Sequence, residues 1–207
     1  MIARSWRLSL PLSALFLTAA CASSGGPALT GPDADAVFAS YSGTWILDES
    51  SSSAQIPNFL EGVEDNQPMD EVGASRPGGL REERYLRRLR SRQADVGALR
   101  ATMEVLRERP TTLTLQLDAT TFSYRPNPGK AMALPMDGSE IDRDEGEHPV
   151  DAHIGWQDQF PVVEYTVPRG GVVRELMEAV GDRLIIRRSM SGMGEDATLI
   201  LAYDRQS

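Results

Sequence analysis

The chain has 207 residues, 41% of them hydrophobic and 25% charged, with 18 Gly, 13 Pro and a single Cys. That length suffices for one ordinary domain with a core and some extra segments, and one Cys excludes an internal disulfide or a Cys-clustered zinc or iron–sulfur site. Twenty-one Lys and Arg face 30 Asp and Glu, a net charge of −9, so nucleic acid is a poor partner, because phosphate binding needs a positive surface. Two His leave little material for a His-rich metal centre, and no cofactor motif is present.

Residues 1–20 place Arg4 and Arg7 ahead of an uncharged apolar run from Leu8 to Leu17. The small residues Thr18, Ala19 and Ala20 then lead into Cys21. This is the layout of a secretory signal, too short for a stable membrane span. A small-residue stretch ending directly at Cys resembles the lipobox of bacterial lipoproteins, with Thr18 where Leu is commonest. The resemblance implies cleavage before Cys21, acylation of its thiol, and a lipid bilayer as partner. Ala22 in place of Asp after the Cys implies, by similarity to Gram-negative sorting, an outer-membrane anchor with the protein facing the periplasm. The competing reading is a plain signal peptide with Cys21 incidental.

Residues 21–36 are small, polar and rich in Gly and Pro, which predicts a flexible tether. A single domain over 37–207 follows, interrupted by a loop and helical insertion at 54–109. Val37 to Tyr41 predicts a short helical turn, and Gly43 to Asp48 a first strand that stops at the polar cluster Glu49 to Ser53. Residues 54–79 carry three Pro and no visible period, and read as loop. From Leu80 to Arg109 apolar residues recur at helical spacing. Asp95 is placed to cap a second helix, Gly97 weakens its start, and Pro110 ends it. The segment is rich in Arg, and reads either as a contact surface or, more simply, as a solvated face paired with nearby acids.

Beyond Pro110 the period changes to two. Strands are predicted at 111–117, 120–125, 131–136, 150–156, 160–167, 172–180, 183–190 and 198–203, separated by turn residues such as Gly181-Asp182. With the first strand this makes about nine short strands. Such an antiparallel meander closes into a barrel or curls strongly, because closure removes exposed edges.

Gly43-x-Trp45 on the first strand is similar to the G-x-W of lipocalins, where the Trp plugs the closed end of the barrel and an Arg from a late strand packs over it. The resemblance implies that role for Arg187 or Arg188. More broadly, residues 41–53 and 110–205 resemble the uncharacterised lipocalin-like lipoproteins and exported β-proteins of soil bacteria. The matching stretches are Gly43 to Asp48, "RERPTTLTLQLDATTFSY", "HIGWQDQFPVVEY" and "VGDRLIIRRSM". The resemblance implies the fold and supplies no activity.

No nucleophile motif stands out. His148 and His153, with Glu145, Glu147 and Asp151 nearby, read as an outward polar strand face or, at a stretch, as metal or acid–base material. Asp142-x-Asp144 before Gly146 resembles part of a calcium loop, without the remaining ligands of an EF-hand. A solvated hairpin loop is the preferred reading. Gly170-Gly171 and Gly192-x-Gly194 lie between strands and read as hairpin turns rather than phosphate cradles. The predicted inward positions are Trp45, Leu113, Leu115, Leu117, Ile154, Trp156, Val163, Tyr165, Leu176, Leu184, Ile186, Leu199 and Leu201. Of these, Trp45, Ile154, Trp156, Tyr165 and Ile186 are the candidate contacts for a small apolar ligand.

The expectation is therefore a mostly β, lipocalin-like barrel with a helical insertion. It is non-catalytic, exported and membrane-anchored, without metal or other cofactor, and binds a small apolar molecule in an interior that is packed or shallow. The alternative is an envelope structural or interaction module that uses the Arg-rich helix.

Overall fold

Alternation at period two becomes strand wherever the turn chemistry on both sides allows it. In the computed structural model, which describes residues 32–57, 80–143, 148–191 and 197–207, the eight strands expected after Pro110 all form, shifted by two residues at most. The elements in chain order begin with α1 (Pro32–Tyr41), β1 (Gly43–Leu47), a 3-10 turn (Glu49–Ser51), β2 (Ser53–Gln55) and α2 (Leu80–Arg107). Then come β3 (Thr112–Leu117), β4 (Thr121–Asn127), β5 (Met132–Pro135), β6 (Ile141–Asp142), β7 (Asp151–Gln157), β8 (Phe160–Val167), β9 (Gly171–Val180), β10 (Arg183–Ser191) and β11 (Ala197–Arg205). Ten strands pair in the order β5-β4-β3-β1-β11-β10-β9-β8-β7-β6, every neighbour antiparallel, and β2 pairs with β11 off this path. β5 packs beside β7 across the remaining gap, so the sheet is a nearly closed barrel.

Three of the turns share one device. Asp48, Asp118 and Asp137 each stand two residues before a Ser or Thr, and each Oδ1 accepts from that residue's backbone N–H at 2.8–3.0 Å and from its hydroxyl. A short carboxylate that bonds its own backbone two residues on mimics a turn, so the sequence pattern Asp-x-Ser/Thr ends a strand by itself. Between β9 and β10, Gly181 supplies the left-handed φ of +59° that a two-residue hairpin needs.

Inside the barrel the alternation sorts side chains as expected for twelve of the thirteen predicted inward positions, all buried; Leu176 is the exception. On β9 the inward series is Val173, Glu175, Met177 and Ala179, which leaves Leu176 on the outer face. Both phases of VVRELMEAV contain apolar residues and at least one charge, so alternation alone could not choose between them. Register against β8 and β10 does, pairing Glu175 with Val163 and Arg188.

Further corrections concern the helices and the short strands. α2 is one continuous helix of 28 residues, with no break at Asp95. Gly97 lies within it, against His148, whose ring would sit 2.3 Å from a Cβ there. The glycine that weakens local propensity thus makes room for a tertiary contact. α1 is a ten-residue helix rather than a turn, and it claims residues 32–36 from the predicted tether. β2 and β6 form inside segments read as loop. The signal segment, Cys21, residues 58–79 and the calcium-like positions Asp144 and Gly146 lie outside the described residues.

Candidate functional site

The two helices cover different ends of the barrel. α1 packs against β3 and β9, its Phe38 ring stands 6.0 Å from that of Trp156, and Tyr41 Oη donates to the Met177 carbonyl at 3.2 Å. Trp45 is fully buried and its Nε1–H donates to the Tyr41 carbonyl at 2.9 Å, so the first strand and α1 lock together. The arginine over the Trp45 ring is Arg205, with its Cζ 4.1 Å from the centroid, and not Arg187 or Arg188 as the lipocalin resemblance implied. The reason is register: β11 is the strand beside β1, and Arg205 is the direct partner of Trp45. The same guanidinium donates to the Ser42 carbonyl at 2.6 Å and would lie 2.7 Å from a Cβ at Gly43. Glycine in the G-x-W motif is therefore the space through which Arg205 reaches its partners.

The other end lies under the C-terminal half of α2. Ala98, Leu99, Thr102, Met103, Val105 and Leu106 are buried there, and Gly170 in the β8–β9 turn fits so closely that a Cβ would meet the Ala98 carbonyl at 2.3 Å. Arg169, next to it, pairs with Asp95 and donates to Ser91 Oγ at 2.8 Å.

Between these ends sits a polar cluster that reading the sequence missed. Arg188 and Glu175 point inward from paired positions on β10 and β9, both essentially inaccessible to solvent, with Arg188 Nε 2.7 Å from Glu175 Oε2. Arg188 Nη2 donates to Tyr124 Oη at 3.1 Å, and Nη1 donates to the Val105 and Glu108 carbonyls at the C-terminal end of α2. Cations at a helix C-terminus are favoured by its unpaired carbonyls. Arg143, also buried, donates to both carboxylate oxygens of Glu108 at 3.0 and 3.1 Å and lies 5.4 Å from the centre of the Tyr165 ring. Tyr203 Oη donates to the Pro110 carbonyl at 3.1 Å. The available signal was a charged residue on the apolar face of two adjacent strands, readable only once the phase of β9 is known.

Electrostatics keep this cluster in one ionic form. Burial opposes the Arg188 charge, but Glu175 and the surrounding phenolic oxygens outweigh it and hold the guanidinium firmly protonated. Burial first, then the Glu175 charge, pushes the Tyr124 and Tyr165 hydroxyls well above their ordinary range. Tyr41 is likewise pushed up to about 12, mainly by burial. All three remain neutral hydrogen-bonding groups at physiological pH.

The five ligand candidates Trp45, Ile154, Trp156, Tyr165 and Ile186 are all buried in this interior. Trp45 is committed to Tyr41 and Arg205, and Tyr165 adjoins Arg143. Trp156 Nε1 and Glu175 Oε1 are among the buried polar atoms with no hydrogen-bond partner among the described residues. Two open concavities bounded by described residues lie outside the barrel interior, one along α2 and one on the outer face of β9–β11. The histidines do not come together as a site. His148 abuts α2, whereas His153 faces outward on β7, 3.4 Å from Glu164. No group of three or more metal-ligating side chains occurs among the described residues, nor any helix long and apolar enough to cross a membrane.

No protein-family pattern matches the sequence, and no curated protein matches it. Forty solved chains match in structure. One is a Schistosoma mansoni fatty acid binding protein in complex with arachidonic acid, at 18% identity and TM-score 0.46, over 83% of this chain and 99% of that one. A secretory abundant heat soluble protein from Ramazzottius varieornatus matches at 10% identity and TM-score 0.48, over 81% and 96% of the two chains. The REP1-NXSQ fatty acid transporter matches at 14% identity and TM-score 0.43, over 82% and 98%. The protein is a nearly closed antiparallel barrel, as its own strand order and register establish.

Proposed function

We propose that the protein is an exported, lipid-anchored and non-catalytic binding protein whose barrel takes a small, mostly apolar molecule carrying a hydrogen-bonding group. The observation that carries this reading is the interior itself: an aliphatic and aromatic wall with Glu175 Oε1 and Trp156 Nε1 buried and unpartnered among the described residues. Buried polar atoms are seldom left unpaired, and a few polar groups in an apolar interior are typical of small-molecule sites. A buried ion pair is also a poor means of stabilising a core, since desolvation offsets most of its attraction. Entry is read as occurring under α2, whose Leu99, Met103 and Leu106 fill that end of the interior. In this reading Cys21 carries the acyl chains, the outer membrane is the site of attachment, and residues 21–31 are the spacer to α1.

Native mass spectrometry of the soluble body, residues 22–207, expressed in the periplasm and purified without detergent, tests the binding. A retained small molecule released on denaturation is the expected result, and a bare mass counts against it. Replacing Cys21 by Ala tests the anchor: the variant is expected in the soluble periplasmic fraction, and continued membrane association would overturn that part.

The alternative, an interaction module, is favoured by a different observation. The N-terminal half of α2 leaves the barrel, with Leu86, Arg87, Arg88, Arg90 and Arg92 all exposed. A bare mass together with partner crosslinks confined to this half would move the assignment to that reading.

A further inference from the structure

On the outer face of the same β9–β10 wall whose inner face carries the buried cluster lies a groove of about 260 Å³ lined by Gln157, Arg174, Leu176, Arg187, Ser189 and Thr198, with Arg188 contributing to its floor. In a chain with 30 acids, none of the lining residues is acidic. Register explains the assembly. Leu176 pairs directly with Arg187, and Arg174 with Ser189, which in turn pairs with Thr198, so two arginines and two hydroxyls surround one leucine. Small side chains at 189 and 198 leave the depression, and the longer residues around them form its rim.

The donors are only loosely engaged. Arg187 Nη2 reaches Glu178 at 3.7 Å with both side chains well exposed, and Arg174 Nε stands 3.6 Å from Glu164. Arg174 Nη2 donates to Gln157 Oε1 at 3.0 Å, while its Nε is buried without a hydrogen-bond partner among the described residues. The Arg187–Glu178 pair is exposed and long, and such pairs are weak, so an incoming oxyanion can compete for the Arg187 guanidinium. We propose that this groove binds a small oxyanion, a phosphate monoester or a carboxylate, whose short apolar stem rests on Leu176. The guanidinium groups of Arg174 and Arg187 take the charged oxygens, Ser189 and Thr198 add hydroxyl donors, and Leu176 selects for an alkyl group over a bare inorganic ion.

The test titrates inorganic phosphate, hexyl phosphate and hexanoate into the full chain purified as expressed, reading the arginine Nε–Hε resonances. Hexyl phosphate or hexanoate is expected to shift Arg174 and Arg187 together and saturably, with inorganic phosphate weaker. Arg187→Gln is expected to weaken binding by about tenfold or more, as loss of one charge-assisted anchor requires. Arg187 is exposed, so that variant keeps its fold and its melting curve; Ser189→Ala gives a second, smaller loss. Phosphatidylglycerol vesicles separate the sources: shifts with vesicles as well as with soluble hexyl phosphate identify a lipid headgroup, and shifts with the soluble compounds alone a free ligand. Shifts led by the α2 arginines, binding unchanged in Arg187→Gln, or an absence of saturable shifts in Arg174 and Arg187 would overturn the assignment.

Discussion

Arg205 at one end of the barrel and Arg188 in its interior show how one residue type serves the fold by different physics. Arg205 stacks on Trp45 and donates to the Ser42 and Ser40 carbonyls, so Arg205→Gln is expected to cost about 1–3 kcal/mol through lost cation–π and hydrogen-bond contacts. A urea melt followed by tryptophan fluorescence measures this. Arg188 is held by Glu175, Tyr124 and two carbonyls in a solvent-free interior. Removing one partner leaves an uncompensated buried charge, so Glu175→Gln or Arg188→Met alone should destabilise by about 3–5 kcal/mol, whereas a double apolar replacement should recover much of the loss. A double-mutant cycle that came out additive would remove the pair from the account. The turn aspartates set the acid response. Hydrogen bonds from the following Ser or Thr hold the Asp48, Asp118 and Asp137 carboxyls below the usual range. A lowered folded-state pKa contributes stability that is present above the unfolded Asp value, near 3.9, and is lost as pH falls through the folded value. Asp118→Asn should therefore flatten the acid limb of the stability curve, its cost being full above about pH 5 and shrinking as pH falls below the unfolded Asp value, as acid titrations of the two proteins would show.

At the scale of elements, α2 divides into a packed half and a projecting half. A helix of 28 residues spans about 42 Å at 1.5 Å per residue. Its seal depends on close approach at Gly170, where a Cβ would also meet Thr102 Oγ1 at 2.4 Å. Gly170→Ala must shift α2 or the β8–β9 turn, and about 1–3 kcal/mol of destabilisation is expected, with faster amide exchange over residues 98–107. Arg90→Ala, on the exposed half, should stay within about 0.5 kcal/mol of the parent. Equal effects from the two substitutions would contradict the division.

For the whole molecule, closure depends on segments far apart in sequence. β1 joins β3 to β11, α1 covers the end where Trp45 lies, and β5 beside β7 completes the wall. A chain beginning at residue 32 should fold as stably as a longer one, whereas a chain beginning at residue 43 loses the buried Phe38 and Tyr41 and should melt at a distinctly lower temperature. Calorimetry of the two truncations distinguishes a structural α1 from a dispensable one.

Turn chemistry and period-two alternation act within a few residues, which is why the strands after Pro110 and most of their inward faces were legible in the linear chain, together with the glycine and tryptophan of the first strand. The phase of β9 was not, because both faces of VVRELMEAV carry apolar residues and only pairing with β8 and β10 breaks the tie. For the same reason Glu175 and Arg188 could not be recognised as partners, nor Arg205 as the residue over Trp45. The length and continuity of α2 also lay beyond local signals: Gly97 weakens the helix in isolation, and the neighbouring His148 is what its missing side chain accommodates. Local physics determined the strands and their turns. The inward charges, the helix over the barrel end and the outer-face groove were decided by register and packing between segments distant in the chain.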